Sequence, residues 1–177
     1  MDEIEDFDAF VRGRTPALMR SAFLLTGDQH LAEDLVQASL ARTHQHWRRL
    51  DSRSNAEAYT RRVMYHLQVS WWRRRRVPEW STAQVPEPRR HVPDQADASD
   101  LRVVMRGALA RLPVRQRAVL VLRYFEDLTE AETAETLGVS VGTVKSQTFK
   151  ALSRLRDLAP ELAGHPSAIG GRDDRHR

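Results

Sequence analysis

Residues 128–156 read LTEAETAETLGVSVGTVKSQTFKALSRLR, and this stretch predicts two helices joined by a tight turn. Thr129 and Glu132 have the spacing of a capping box, in which two side chains accept backbone hydrogen bonds at the start of a helix. Gly138 can adopt the left-handed conformation that ends a helix, and Ser140 can cap the helix that follows. The order of these signals is typical of a helix-turn-helix.

The second of these helices is predicted to have an apolar face and a polar face. Val144 on the apolar face would pack against the small Ala134 where the helices cross. Lysine can contact phosphates or guanine, glutamine can read adenine, and phenylalanine can contact a thymine methyl. The outward residues that we expect to contact DNA are Thr143, Lys145, Ser146, Gln147, Phe149 and Lys150. The pattern disfavours the alternative, a plain helical hairpin with a polar outer face.

The rest of the chain predicts helices in two blocks, separated by a proline-rich stretch. Apolar residues recur at helical spacing before residue 77 and again over 101–112. Four prolines between residues 77 and 99 forbid a regular helix there. We therefore predict an all-α protein with two small helical domains. The expected divisions are domains 1–76 and 100–159, a flexible linker at 77–99 and a disordered tail at 160–177.

Capping residues predict where the helices of the first block begin and end. The Thr-Pro pair at 15–16 predicts a helix start, because proline suits the first helical position. Gly27 predicts a stop, and Asp28 can cap the next helix. Ser54 and Glu57 have capping-box spacing, which predicts the start of a third helix.

Composition and motifs exclude several classes of protein. The 177 residues contain no cysteine, which excludes disulfides and thiolate zinc sites. A membrane span needs about 18 uncharged apolar residues in a row, and no stretch of the sequence approaches that length. The first residues, MDEIEDFDAF, are acidic, whereas a secretory signal begins with basic residues. The sequence has no histidine–glutamate pair at zinc spacing and no glycine-rich phosphate loop. We expect no catalytic residue, metal, cofactor or membrane partner, and a cytoplasmic location.

Positive charge is concentrated between residues 42 and 76, where many arginines face only two acidic residues. Such asymmetry suits a polyanionic partner. The alternative is a basic face that is merely solvated.

Several segments of the chain, taken together, resemble the extracytoplasmic-function sigma factors of the sigma-70 family. They are HLAEDLVQASLARTHQHW at 30–47, AYTRRVMYHLQVSWWRRRR at 58–76, the proline-rich stretch, and RLPVRQRAVLVLRYFED leading into the helix-turn-helix. The SWWRRRR segment resembles the sigma-E-like subgroup of actinomycetes. The resemblance covers about residues 7–157.

The resemblance implies that the protein binds core RNA polymerase and promoter DNA. It implies contacts with the clamp coiled coil of the beta-prime subunit, through Asp34, Gln37 and Arg42, and with the beta flap. It implies that the arginine-rich helix and the loop before it open and read the minus-ten element. The residues assigned to that element are Asp51, Ser52, Arg53, Ser54, Asn55, Arg61, Arg62, His66, Trp72, Arg73 and Arg74.

Unpaired bases also need surfaces on which to stack, a contact that contributes about 1–3 kcal/mol per base. Tyr65, Trp71 and Trp72 are the candidates, although Trp71 shares an apolar stripe and is expected in the core. His66 stands where the family usually has asparagine. The base preference at the minus-ten element is therefore expected to differ from that of relatives with asparagine. Lys145 and Lys150 stand where the family frequently has arginine. Lysine lacks the planar guanidinium with which arginine makes bidentate contacts.

The resemblance further implies that the helix-turn-helix reads the minus-thirty-five element and that an anti-sigma factor is a possible third partner. Three alternatives remain open. The first is a helix-turn-helix regulator that binds duplex DNA without polymerase, and the second is a degenerate relative that serves as an adaptor. An enzyme is the least favoured, because no catalytic constellation is recognisable.

Overall fold

In the computed structural model, residues 3–50, 53–75 and 98–164 are described, and they are nearly all helical. Within these ranges no β-strand occurs, which confirms the predicted all-α class. The α-helices are α1 (Glu3–Thr26), α2 (Gln29–His46), α3 (Arg53–Arg75), α4 (Ala98–Arg111), α5 (Val114–Leu120), α6 (Glu130–Leu137) and α7 (Val141–Leu158). Shorter turns are 3-10 helices at Trp47–Arg49 and Pro160–Gly164 and a π-helical segment at Val121–Phe125.

The first block consists of α1, α2 and α3, which pack around a shared apolar core. Leu25, Leu35 and Met64, one from each helix, are almost completely buried there. Gly27 ends α1 with φ of 73°, and the Asp28 side chain accepts a hydrogen bond from the Leu31 N–H. The predicted stop and cap between α1 and α2 are therefore confirmed.

The expected helix start at residues 15–16 is wrong, because α1 continues through Pro16. The Thr15 hydroxyl instead donates to the Val11 carbonyl within the helix. An internal proline costs about 3 kcal/mol in an isolated helix. Burial of Phe10 before the proline and of Leu18 after it favours one continuous helix over a break.

The start of α3 also differs from the expectation. The helix begins at Arg53, so Ser54 lies inside it, while Ser52 lies outside the described residues. The Glu57 carboxylate, expected to complete a capping box, pairs with Arg14 and Arg61. The Glu57 carboxylate is thus engaged by Arg14 of α1 and by Arg61 one turn further along α3, although local spacing had assigned it to the helix start.

The second block is built from α4 to α7. Leu109 and Leu155 are buried in its core together with Leu162 from the last 3-10 helix. That turn lies where the sequence predicts a disordered tail, and residues 165–177 lie outside the described ranges. Of the predicted linker, only residues 98–99 are described, and they begin α4.

The π-helical segment after α5 changes which side chain faces the first block. The Glu126 N–H donates to the Val121 carbonyl five residues back, whereas an α-helix bonds residues four apart. The hydrogen-bonded turn therefore contains one extra residue. Phe125 is consequently 42% exposed. Glu126 is turned towards α1 and α3 instead.

The two blocks pack directly against each other. Val121 and Leu122 of the second block belong to the same buried cluster as Leu35 and Met64 of the first. The buried guanidinium of Arg117 joins the blocks through backbone carbonyls at the ends of α1 and α4, which are Leu25, Ala110 and Leu112. The sequence did not predict this packing.

Candidate nucleic-acid interface

The polar face of α2 carries the residues expected to bind polymerase. Asp34, Gln37 and Arg42 are all exposed, while Leu35 and Val36 between them are buried in the core of the first block. The helix is therefore held by its apolar side and presents these three side chains to solvent.

An open groove lies beside this face, between α1 and α2. It is lined by Phe7, Val11, Leu40 and Ala41 with polar side chains at its edges, including Gln37. At its end the Phe7 ring packs against the rings of Phe10, His44 and Trp47. The groove was not predicted from the sequence.

Two arginines of α3 assigned to the minus-ten element are held by the second block. Arg61 donates from Nε to Glu126 at 2.9 Å, and its NH2 also pairs with Glu57. Arg62 pairs with Glu135 of α6 at 2.8 Å. The structure thus brings these arginines to the interface between the blocks.

His66 lies on the same side of α3. A Cβ atom built on Gly138 would lie 3.9 Å from the His66 ring, so the histidine adjoins the turn of the helix-turn-helix. The ring remains exposed overall. Further along α3, Arg73 and Arg74 are exposed.

The aromatic residues of α3 differ in burial. Tyr65 is 1% exposed, which contradicts its candidacy as a stacking surface in this arrangement. Burial first, and the nearby Glu126 carboxylate second, raise the pKa of the Tyr65 hydroxyl well above its usual value. Trp71 packs against the core cluster as expected, and Trp72 is partly exposed.

The loop assigned to the flipped minus-ten base lies largely outside the described residues. Asp51 and Ser52 are outside them, and only the backbone of Arg53 and Ser54 is described. Asn55 is described and exposed.

The helix-turn-helix has the geometry that its sequence predicts. Thr129 and Glu132 form both hydrogen bonds of the capping box, and they hold the pKa of the Glu132 carboxyl below its ordinary value. Gly138 ends α6 with φ of 65°, and the Ser140 side chain accepts from the Thr143 N–H at the start of α7.

The crossing of α6 and α7 is closed by small and branched side chains. Ala134 and Val144 are buried together against Val119 of α5. Thr133, the residue before Ala134, is completely buried, and its hydroxyl has no hydrogen-bond partner among the described residues. The crossing therefore tolerates one buried hydroxyl without losing the motif.

The outward face of α7 carries the residues expected to read DNA. Phe149 is 74% exposed, and Lys145 pairs at 3.5 Å with Glu130 at the start of α6. The others are Thr143, Ser146 and Lys150, which are exposed, and Gln147, which is partly exposed. These side chains lie on α7, whereas Arg61 and Arg62 of α3 pair with Glu126 and with Glu135 of α6.

Among the described residues, no group of three or more histidine and acidic side chains is placed to hold a metal ion. Within the same ranges, no helix is both long and apolar enough to cross a bilayer.

Comparison with known families and proteins agrees with this two-block organisation. Residues 10–77 match the family Sigma-70 region 2, and residues 102–155 match Sigma-70, region 4. The RNA polymerase sigma-E factor of Streptomyces coelicolor is 41% identical over 157 residues, which are 89% of this chain and 88% of the relative. The ECF RNA polymerase sigma factor SigL of Mycobacterium tuberculosis is 35% identical over 82% of this chain and 84% of its own length.

A solved structure is similar across both blocks. It is the sigma factor RpoE of Bartonella quintana in complex with the anti-sigma factor NepR. The TM-score is 0.70 at 27% identity, and the match covers 88% of this chain and 98% of that one.

Proposed function

The chain belongs to the extracytoplasmic-function sigma factors of the sigma-70 family, and we propose how its two blocks divide the work of directing transcription from promoters. The first block binds core RNA polymerase and the minus-ten element, and the helix-turn-helix reads the minus-thirty-five element. The chain supplies recognition, and the polymerase supplies the chemistry, so no catalytic residue is needed here.

The observation that carries this proposal is the presence of two separate recognition faces on one chain. Asp34, Gln37 and Arg42 are exposed on α2, and the side chains that surround Phe149 are exposed on α7. A regulator that only grips duplex DNA would need the second face alone. We propose that the face of α2, with the neighbouring groove, contacts the clamp coiled coil of beta-prime, and that the second block contacts the beta flap.

The minus-ten element is proposed to bind along α3 and the loop before it. Arg73 and Arg74 are exposed and supply sequence-independent attraction through phosphate contacts and counterion release. Trp72 is the proposed stacking surface, and Asn55 with His66 lies where bases would be read. The remaining proposed contacts are Asp51, Ser52, Arg53, Ser54, Arg61 and Arg62.

The minus-thirty-five element is proposed to receive α7 in its major groove. We propose that the Phe149 ring touches a thymine methyl and that Lys145 and Lys150 contact phosphates or guanine. Thr143, Ser146 and Gln147 complete the proposed contact surface. Since lysine cannot form the bidentate contact of arginine, guanine should be read less strictly here.

We propose functional boundaries at 1–76, 77–99, 100–159 and 160–177, and action in the cytoplasm at the nucleoid through RNA polymerase. An anti-sigma factor is a further proposed partner. The similar Bartonella sigma factor was solved with such a protein, and the match to it spans both blocks.

The test is initiation in a purified system. Core RNA polymerase, this chain and a promoter carrying an unpaired minus-ten bubble are combined, and the transcripts are measured. We expect transcripts only when the chain is present. If the chain binds duplex DNA yet forms no complex with core polymerase, the duplex-binding regulator is the correct function.

Asp34→Ala separates the sigma factor from an adaptor. The substitution should weaken core binding and reduce transcripts, whereas Asp157→Ala, which removes another exposed acid at the end of α7, should leave core binding unchanged. If Asp34→Ala leaves core binding intact, this face of α2 is not the polymerase contact.

A further inference from the structure

Lysine occurs at two positions of the chain, and both lie on the outward face of α7. Of the 28 lysine and arginine side chains, only Lys145 and Lys150 are lysines. Both are exposed, whereas Val144 and Ala151 beside them are buried in the core of the second block. The side-chain amines of this chain are therefore confined to one surface, the surface proposed to contact the minus-thirty-five element.

Lysine and arginine differ in the covalent chemistry that they allow. Arginine keeps its charge near neutral pH, whereas a lysine amine can be acylated, and acylation removes its charge. An acyl phosphate is a donor suited to this surface, because its phosphate group is attracted by the same cations that are proposed to attract DNA phosphates. Such a donor finds no other side-chain amine in the sequence.

We propose that the two lysines of α7 are a modification site, at which acylation by an acyl phosphate weakens binding to the minus-thirty-five element. The inference rests on the proposed role of α7 in reading that element. The lone pair of the lysine Nζ attacks the carbonyl carbon of the donor, so an N–C bond forms and the bond from that carbon to the phosphate oxygen breaks. The phosphate leaves with the electron pair of that bond and takes up the proton that the nitrogen loses. The product is a neutral amide.

Glu130 makes the effect at Lys145 larger than the loss of one positive charge. Its carboxylate lies 3.5 Å from the Lys145 Nζ, and its side chain is 33% exposed. In the unmodified chain the ammonium group balances this carboxylate beside the proposed DNA surface. An acylated Lys145 no longer balances it, so a negative charge is left to repel the DNA phosphates. Acylation thus removes an attraction and adds a repulsion.

The fold should survive the modification. The buried residues of α7 are Val144, Ala151 and Leu155, and neither lysine is among them. The pair between Lys145 and Glu130 is largely exposed, and such pairs contribute little to stability. Glu130 also stays in the first turn of α6, where the helix dipole favours a negative charge. A loss of DNA affinity after acylation should therefore reflect the surface and not unfolding, which circular dichroism can verify.

The first experiment treats the chain with acetyl phosphate and compares it with the untreated chain. Peptide mass mapping should find acetyl groups on Lys145 and Lys150. Affinity for a minus-thirty-five duplex, measured by fluorescence anisotropy, should fall by about tenfold. The slope of log affinity against log salt should fall by about 2, since each lost phosphate contact contributes about 0.9. Lysines that stay unmodified, or acetylated lysines with unchanged affinity, would overturn the inference.

Lys145→Arg with Lys150→Arg is the matched control, because it keeps both charges and removes both side-chain amines. Treatment with acetyl phosphate should leave the affinity of this variant at its own untreated value. An equal loss of affinity in the variant would assign the effect to another group and overturn the inference. If the untreated chain binds the minus-thirty-five duplex no more tightly than a scrambled duplex, the proposed function of α7 fails first and the inference falls with it.

A second set of variants tests the part assigned to Glu130. Lys145→Gln places a neutral amide at the modified position, and it should weaken duplex binding about threefold more with Glu130 present than in a Glu130→Gln chain, the size expected of an exposed charge pair. Glu161→Gln removes an exposed acid from the last 3-10 helix and makes the same change in net charge. If Glu161→Gln reduces the effect of Lys145→Gln as much as Glu130→Gln does, net charge determines the affinity and the role of Glu130 is overturned.

Discussion

Arg61 on α3 and Glu126 beyond α5 form an ion pair across the interface of the two blocks, with the Arg61 NH2 atom 2.8 Å from a Glu126 carboxylate oxygen. Arg62 and Glu135 form a second pair at the same distance. The two pairs have the same chemistry and differ chiefly in burial, since the first is mostly buried and the second mostly exposed. Burial should therefore decide how much each pair contributes to stability.

Double-mutant cycles to alanine measure that difference. For Arg61 with Glu126 we expect a coupling energy of about 1–3 kcal/mol in the free energy of unfolding, because neighbours in one buried network couple by this much. For Arg62 with Glu135, an exposed pair, the coupling should stay below about 0.5 kcal/mol. Urea denaturation gives both values, and equal couplings would contradict the role of burial.

The capping box at the start of α6 predicts a pH-dependent loss of stability. Thr129→Ala removes the side-chain hydrogen bond to the backbone and should cost about 1 kcal/mol. It should also return the lowered pKa of Glu132 towards its ordinary value of 4.5, because the hydrogen bonds from Thr129 are the chief cause of the lowering.

The sign follows from that lowering. A carboxyl whose pKa is depressed in the folded state adds stability above its ordinary pKa and loses it as the pH falls through the depressed value. The difference in the free energy of unfolding between Thr129→Ala and the unmodified chain should therefore become smaller as the pH falls through the depressed pKa of Glu132. Carbonyl-carbon chemical shifts of Glu132 and unfolding at several pH values check both statements, and a constant gap would contradict them.

Local signals in the sequence predicted the helix-turn-helix closely. The cap at Ser140 and the turn at Gly138 depend on residues a few positions apart, and the structure has them where they were expected. The exposed face of α7 also follows from helical spacing alone. The helix start predicted at Pro16 was wrong. Burial of apolar side chains along α1 outweighs the local preference of proline for the first turn of a helix.

The interface between the blocks could not be predicted in this way. Glu126 faces Arg61 only because a π-helical turn shifts the chain by one residue after α5, and no sequence spacing signals that turn. Its two partners, Ser21 and Arg61, are 105 and 65 positions away in the chain. The neighbouring Phe125 is exposed for the same reason.

The proposed DNA-reading face of α7 can be tested without loss of the fold. Phe149→Ala and Lys145→Ala change exposed side chains, so the free energy of unfolding should change by less than about 0.5 kcal/mol. Binding to minus-thirty-five duplex should nevertheless weaken. For Lys145→Ala, the slope of log affinity against log salt should fall by about 1, as expected for one lost phosphate contact.

Arg20→Ala is the matched control, because Arg20 is an exposed cation on α1 that lies outside the proposed reading face. Fluorescence anisotropy across a salt series measures all three variants. If Arg20→Ala reduces the slope as much as Lys145→Ala does, net charge rather than the α7 face determines duplex affinity.

The buried guanidinium of Arg117 should be one of the most sensitive positions in the chain. It is 8% exposed, and burial lowers the pKa of its guanidinium below the ordinary value. It donates to the carbonyls of Ala110 and Leu112, which end α4, and to that of Leu25 near the end of α1. These contacts join the second block to the first.

Arg117→Lys keeps the charge but loses the planar fork that reaches several acceptors at once. A buried carbonyl left without a donor costs about 1–3 kcal/mol, so the substitution should lower the free energy of unfolding by about that amount or more. Arg115→Lys, at an exposed neighbouring position of α5, should change it by less than about 0.5 kcal/mol.

Since arginine stays protonated in both folded and unfolded chains near neutral pH, the loss should not vary with pH in that range. Urea unfolding at two pH values on either side of neutrality tests this, and a pH-dependent loss would mean that another titrating group is linked to the site.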